Sequence, residues 1–304
     1  MSDETESLIW IDGVLRPAAE ATVPLLSHAV QRGSTVFDVL RVCETPDGPA
    51  AFGLRPHIAR FDRSMSLMGM TSTWSLDRLE RAVAETSLAN PGANLVKVTA
   101  AWVSTPVSTI PDTTVPLVAV AALRAPLADP VDTPGIRVKT ATGTKMPPDV
   151  LPPGLKVAAA YTSGIRQKML ARNEGYDDIV LRTTKGDLAE GVSQSLFVVR
   201  GDLVLLPPLD VVLDGITRRM ILDMAHHLGF HSQIRGITWD EVEAADELFL
   251  CSTTNPVQPI RELDGRVLPD PGDHTARLAA ESSVLLSGTH VLSPKWLTPL
   301  RPLA

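Results

Sequence analysis

The turn Leu213-Asp214-Gly215 runs into Ile216, Thr217 and Arg218 at a predicted helix start. Bare backbone N–H groups and the helix dipole at such a start hold a phosphate-like anion. Thr217 is placed to cap that first turn. The hydroxyl run Ser252-Thr253-Thr254, directly after a predicted strand, offers further donors. A second chemistry needs a lysine and a glutamate. Burial or a neighbouring cation makes a lysine amine a usable nucleophile, and a carboxylate beside a heteroaromatic nitrogen supports an electron sink. Local residue physics does not choose the amine among Lys139, Lys145, Lys156, Lys168 and Lys185.

Holding these groups in place requires two sets of elements. Leu8 to Ile11 followed by Asp12-Gly13 reads as a strand and tight turn. A second strand spans Thr35 to Val42, and Pro46 to Pro49 breaks it as a loop or hairpin connection. Ile58, Phe61, Met65 and Met68 recur at helical spacing from His57 onward, with Arg60 and Arg63 as mostly solvated positions. Leu76 to Leu88 is a further helix, and Leu95 to Val103 and Val115 to Leu123 are β-rich. Three prolines between Ala125 and Gly135 mark a linker. Beyond it lie a strand at Ile136 to Thr140, a proline-rich loop at Met146 to Gly154 and a helix ending near Gly175. Strands then follow at Asp178 to Leu181, Ser195 to Val199 and Leu203 to Leu206, a helix at Ile216 to Leu228, and a strand at Glu247 to Cys251. The division is 1–124 as a smaller N-terminal α+β domain, 125–135 as linker and 136–304 as a larger C-terminal domain.

A net charge of −7 gives an average surface that repels a nucleic-acid backbone, while leaving room for a local anion pocket. Cys43 and Cys251 fit neither a metal framework nor a disulfide scaffold and read as reduced thiols. The acidic start Met-Ser-Asp-Glu-Thr-Glu argues against secretory processing, and no apolar run is long enough to span a bilayer. A cytoplasmic protein with small-molecule partners, no bound metal, no nucleic acid and no membrane is expected.

In chain order, several motifs resemble those of the class IV, or fold-type IV, pyridoxal-phosphate aminotransferases, which include branched-chain and D-amino-acid aminotransferases and aminodeoxychorismate lyase. Ser27-His28-Ala29 through Gly33-Ser34-Thr35-Val36-Phe37-Asp38 and Arg41 is similar to the N-terminal glycine-phenylalanine-acid motif, and His57-Ile58-Ala59-Arg60-Phe61 to the arginine helix. Gly154-Leu155-Lys156 through Tyr161 occupies the place of the lysine and asparagine-tyrosine segment, and Glu190-Gly191-Val192-Ser193 that of the cofactor glutamate. Leu213 to Arg218 resembles the phosphate turn, and Ala245 to Leu250 with Ser252-Thr253-Thr254 the last active-site strand and loop.

The resemblance implies an α+β, two-domain fold, with a smaller N-terminal α/β sandwich and a larger C-terminal β-barrel-like domain, assembled as a homodimer with cofactor sites between domains. It implies pyridoxal 5'-phosphate as cofactor, held by Lys156 as a Schiff base. Glu190 pairs with the pyridine nitrogen, Arg60, Ile216, Thr217 and Thr253 hold the phosphate, Leu213 packs on the ring, and Tyr161 donates toward the phenolic oxygen. Phe37, Lys97 and Thr254 are the substrate-binding candidates, with His28 and Arg32 at the pocket edge. The implied activity is amino transfer between an amino acid or amine and a 2-oxo acid. Aminodeoxychorismate lyase, an R-selective amine transaminase and a cofactor-binding homologue without turnover are the alternatives. This chain departs from the pattern at Ala160, Gln194 and Ser252, and it carries Leu95 and Lys97 where branched-chain members commonly place tyrosine and arginine. Lysine offers a point charge without the bidentate geometry of arginine.

Overall fold

Asp12 and Gly13, at φ 42° and 101°, make the tight hairpin that their sequence predicts, joining β1 (Leu8–Ile11) to β2 (Val14–Pro17) in the computed structural model of the chain. Residues 7–301 are described; the acidic start, expected as a tail without a secretory leader, lies outside them. Two units emerge, one of residues 7–126, 155–159 and 286–301, the other of residues 127–154 and 160–285.

The first unit continues through α1 (His28–Arg32), the hairpin of β3 (Val36–Thr45) and β4 (Gly48–Phe52), helices α2 (Leu54–Met68) and α3 (Leu76–Ala89), and strands β5 (Leu95–Ala101) and β6 (Leu117–Leu123). The predicted break after Val42 is narrower than expected, because Gly48 and Pro49 already pair with β3. Along β3, Val36, Asp38, Leu40 and Val42 are buried while Phe37, Val39 and Arg41 are only partly covered. That period of two gives the strand two different faces. Helix α2 packs on β3 through a stripe of Leu54, His57, Ile58, Phe61 and Met65. It starts three residues earlier than its periodicity suggests, at a left-handed Gly53.

The second unit comprises β7 (Ile136–Thr144), α4 (Thr162–Asn173), β8 (Asp178–Arg182), β9 (Leu188–Gly191), β10 (Ser195–Arg200), β11 (Leu203–Leu206), α5 (Ile216–His227), β12 (His231–Ile234), α6 (Trp239–Glu243), β13 (Glu247–Cys251), β14 (Gln258–Leu263), β15 (Arg266–Val267) and most of α7 (Asp273–Leu286). Its sheet closes on itself. The path β10-β13-β14-β7-β8-β9 returns to β10 through the pair Glu190↔Ser195, which leaves no free edge on that circuit. Inward residues Val138, Val180, Leu196, Val198, Leu250 and Ile260 share one core. Ile179 and Leu181, pointing the other way from Val180, pack with Ala171 of α4.

After α7 the chain supplies α8 (Ser293–Trp296) and β16 (Leu297–Pro299), which pairs with β4 and completes the first sheet in the order β16-β4-β3-β5-β6-β1-β2. Trp296 stacks on Phe52 at 5.7 Å. No helix among the described residues is long and apolar enough to cross a membrane.

Candidate active site

Lys156 belongs to a short segment laced to the start of β3 in the first unit. Phe37 N–H donates to the Lys156 carbonyl at 3.3 Å, Ala158 N–H to Thr35 O at 2.8 Å, and Ala159 N–H to Gly33 O at 3.1 Å. Gly33 is left-handed at φ 62°, and a Cβ there would meet Ala159 at 3.3 Å, so glycine suits both the turn and the approach of the lysine segment. The Lys156 N–H also donates to Ser64 Oγ of α2 at 3.1 Å. With its backbone anchored on two sides, Lys156 places Nζ 5.0 Å from the Phe37 ring centroid, and Lys97 Nζ lies 4.8 Å from the same ring. The structure therefore brings Lys156, Phe37 and Lys97 together. The rival lysines are engaged differently. Lys139 is paired with Glu174, Lys145 with Glu190 and Lys168 with Asp178, while Lys185 stands in an exposed turn.

Arg60 lies on the other face of β3, and it is buried, contrary to the solvated position expected from helical periodicity. Asp38 accounts for this. Its carboxylate, wholly buried, accepts from Arg60 Nε and Nη2, both at 2.8 Å, and from His57 Nδ1 at 2.8 Å. Burial alone would raise the Asp38 pKa, but the adjacent Arg60 and His57 outweigh it and hold the carboxyl well below the usual range. His57 is pushed down by its own burial, against the pull of Asp38 and with Arg60 and Lys156 adding to the shift. A neutral ring donating through Nδ1 satisfies this geometry. Two guanidinium nitrogens fixed on one carboxylate leave Arg60 a rigid cation with a defined plane.

In the second unit, Gly215 is the N-cap of α5, and no side chain caps the helix. The expected cap by Thr217 is not formed, because Thr217 already lies inside the first turn. Its Oγ1 is buried and has no hydrogen-bond partner among the described residues. Bare amides and an unsatisfied buried hydroxyl at a 12-residue helix start suit an oxyanion. A Cβ on Gly215 would come within 2.8 Å of Ser195 Oγ. Ser195 is paired to Glu190 on one side and to Cys251 on the other, so this glycine seats the helix start beside the strand that separates Glu190 from the Ser252 loop.

Glu190 is mostly buried, ion-paired through Oε1 to Lys145, and accepts the Leu213 N–H on Oε2 at 3.3 Å. Leu213 and Glu190 are therefore neighbours. The 252–255 turn is closed by Ser252 N–H to Asn255 O at 2.8 Å, with Thr253 partly buried and Thr254 exposed, its hydroxyl 3.3 Å from Ser252 Oγ. Ile216 is buried beneath the α5 start, and Tyr161, partly buried, is the N-cap of α4. Arg218 is buried, with Nη2 on Pro207 O at 2.7 Å and Nη1 without a partner among the described residues. Burial lowers its pKa, opposed by the nearby Cys251, Asp214 and Glu190. The Cys43 and Cys251 thiols are pushed up to about 11 and about 12 by burial, which makes them poor nucleophiles.

The sequence places Asp38, His57 and Gly215 within motifs and Lys145 among the candidate amines, but it assigns no supporting contact to them or to Ser64 and Ser195. One signal was available. His57, Arg60 and Ser64 recur at i, i+3 and i+7, on the apolar stripe of α2, and polar groups on a buried face need partners.

With this geometry in view, the amino-transferase class IV family matches residues 35–263, a span containing every proposed site residue from Phe37 to Thr254. The branched-chain-amino-acid aminotransferase of Pseudomonas aeruginosa is 28% identical over 309 residues, covering 97% of this chain and 98% of that protein. The crystal structure of the branched-chain aminotransferase of Thermoproteus uzoniensis with norvaline aligns at a TM-score of 0.91 and 30% identity, covering 97% of this chain and 99% of that one. The branched-chain amino acid aminotransferase of Thermobaculum terrenum, in its PLP-form (holo-form), aligns at 0.92 and 25% identity, covering 99% of this chain and 100% of that one. A match across more than half of the chain, over both units, makes it a member of the class IV aminotransferases.

Proposed function

We propose that this protein is a pyridoxal 5'-phosphate-dependent aminotransferase that moves an amino group between an amino acid or amine and a 2-oxo acid. The observation that carries the reading is the fit of the second unit to a phosphorylated pyridine. A bare α5 start with the unsatisfied, buried Thr217 hydroxyl suits the phosphate, while Glu190 presents a carboxylate oxygen beside Leu213. The holo-form of the Thermobaculum terrenum relative supports the same cofactor.

When bound, this cofactor supplies an aldehyde that condenses with amines and a ring that accepts the electron pair left at the substrate α-carbon. Lys156 would hold it covalently through Nζ until the donor amine takes its place, and the freed Nζ would then move the α-proton to the cofactor's former aldehyde carbon, with the reverse transfer serving the 2-oxo acid. Glu190 would accept a hydrogen bond from the pyridine nitrogen. Arg60, the Ile216 and Thr217 amides, the Thr217 hydroxyl and Thr253 would bind the phosphate. Leu213 would exclude water from one ring face, and Tyr161 would orient the phenolic oxygen. Phe37 and Thr254 would shape the substrate pocket, and Lys97 would attract a substrate carboxylate as a point charge.

Branched-chain amino acids, named for the relatives, are the first donors to test. A panel of these, D-amino acids and R-amines with 2-oxoglutarate or pyruvate, following both keto products, should show many turnovers with at least one pair. Pyruvate and 4-aminobenzoate formed from aminodeoxychorismate without an amino acceptor, and no transfer with any pair, would overturn the reading. We also infer a cytoplasmic homodimer. Exposed Leu25, Leu26 and Ile110 in the first unit support a self-association surface, and two buried free cysteines suit a reducing compartment. Light scattering at working concentration should give twice the chain mass.

A further inference from the structure

Lys145 is the first residue past β7, and its N–H donates to Arg182 O of β8 at 2.8 Å. That bond fixes its backbone on the barrel ladder, at the level where β8 meets β9. From there its side chain reaches Glu190, and both partners are largely buried, at 19% and 13% exposure. Nearby charges make their direct contacts elsewhere: Arg219 pairs with Asp214, Lys168 with Asp178, and Arg218 donates to Pro207 O while feeling the Glu190 charge through space. Glu190 therefore has one oxygen tied to a cation and the other facing the Leu213 amide, with only a 3.3 Å hydrogen bond there.

The geometry points to Lys145 as a positioning residue for the cofactor: by clamping Glu190 Oε1, it presents Oε2 as the oxygen that receives the pyridine nitrogen. This rests on Glu190 as the residue at that nitrogen. A carboxylate tethered at one oxygen loses rotamer freedom before the ring arrives, so less order has to be imposed on binding. Lys145 thus serves the site without being its nucleophile. The barrel closure at Glu190↔Ser195 sets the backbone, and the lysine sets the side chain.

Cofactor dissociation constants and bound-cofactor absorbance decide this, measured on the full-length protein after cofactor removal and reconstitution. Glu190→Gln, Lys145→Met, Lys145→Arg and the double variant Lys145→Met with Glu190→Gln form the set. We expect Lys145→Met to weaken binding roughly tenfold and to alter the absorbance spectrum, with Lys145→Arg restoring most of both. The double variant should bind no more weakly than Glu190→Gln alone, since the lysine acts only through that carboxylate. If Glu190→Gln weakens binding while Lys145→Met matches the parent, the role of Lys145 is overturned. The same holds if the two losses multiply in the double variant. If Glu190→Gln leaves affinity and spectrum unchanged, the placement of Glu190 itself is wrong. Should Lys145→Met fail to fold, Lys145→Gln replaces it in the cycle, and an unchanged affinity there counts equally against the role.

Discussion

Two buried charge clusters, one in each unit, are built to opposite ends. In the first unit Asp38 accepts three hydrogen bonds from Arg60 and His57, so its carboxylate is saturated and the arginine plane is locked. In the second, Glu190 is tied at one oxygen by Lys145 and only weakly engaged at the other. A saturated carboxylate is scaffolding that holds a cation, whereas a half-engaged one is presented for use. The difference teaches that a charged residue's role is read from how its remaining valences are spent, not from its burial alone.

Breaking the saturated cluster should produce the larger effect on folding. Asp38→Asn leaves the Arg60 cation buried without its counter-ion, which costs about 3–5 kcal/mol. Lys145→Met at the open cluster should cost less, about 1–3 kcal/mol, because Glu190 retains the Leu213 amide and some solvent. Urea unfolding of the cofactor-free variants checks the order. An equal or reversed ranking would dissolve the contrast between the two clusters.

A smaller effect sharpens the same comparison through pH. The folded-state pKa of His57 is lowered, so the unfolded chain binds the extra proton as pH falls below about 6.5. Stability from this group is complete above that value and is lost on acidification. Replacing His57 with Gln should flatten the decline between pH 7 and 5 by up to about 1.4 kcal/mol per pH unit. The Asp38 contribution lies lower. Its depressed pKa gives stability that is present above about 3.9 and eroded only at more acid pH. A His57→Gln variant with an unchanged slope from pH 7 to 5 would mean that the histidine is charged in the folded protein.

Regular elements with strong patterns were legible in the sequence. The β11 and β13 spans, the β1 turn and the helix after Gly215 all follow local chemistry. Strand β9 was not legible, because Leu188–Gly191 is four residues without a clean alternation of buried and exposed positions, and its pairings with β8 and β10 make it a strand. Nor was β16, whose three residues pair with β4 across most of the chain length. The motif order singled out Lys156, Glu190 and the α5 start. The partners Asp38 and Lys145 were hidden because each meets its ion across 22 and 45 residues, a separation that no local pattern encodes. Thr217 was misread as a cap because a threonine near a helix start suits either role, and only the position of Gly215 separates them.

Borohydride reduction of the cofactor-loaded protein, followed by digestion and mass spectrometry, tests most directly whether Lys156, rather than another lysine, carries the cofactor. A single phosphopyridoxyl group on the peptide containing Lys156, absent from Lys156→Ala along with turnover, is the predicted result. The same group on Lys145, Lys97 or another lysine of the parent protein, or full turnover in Lys156→Ala, would contradict it.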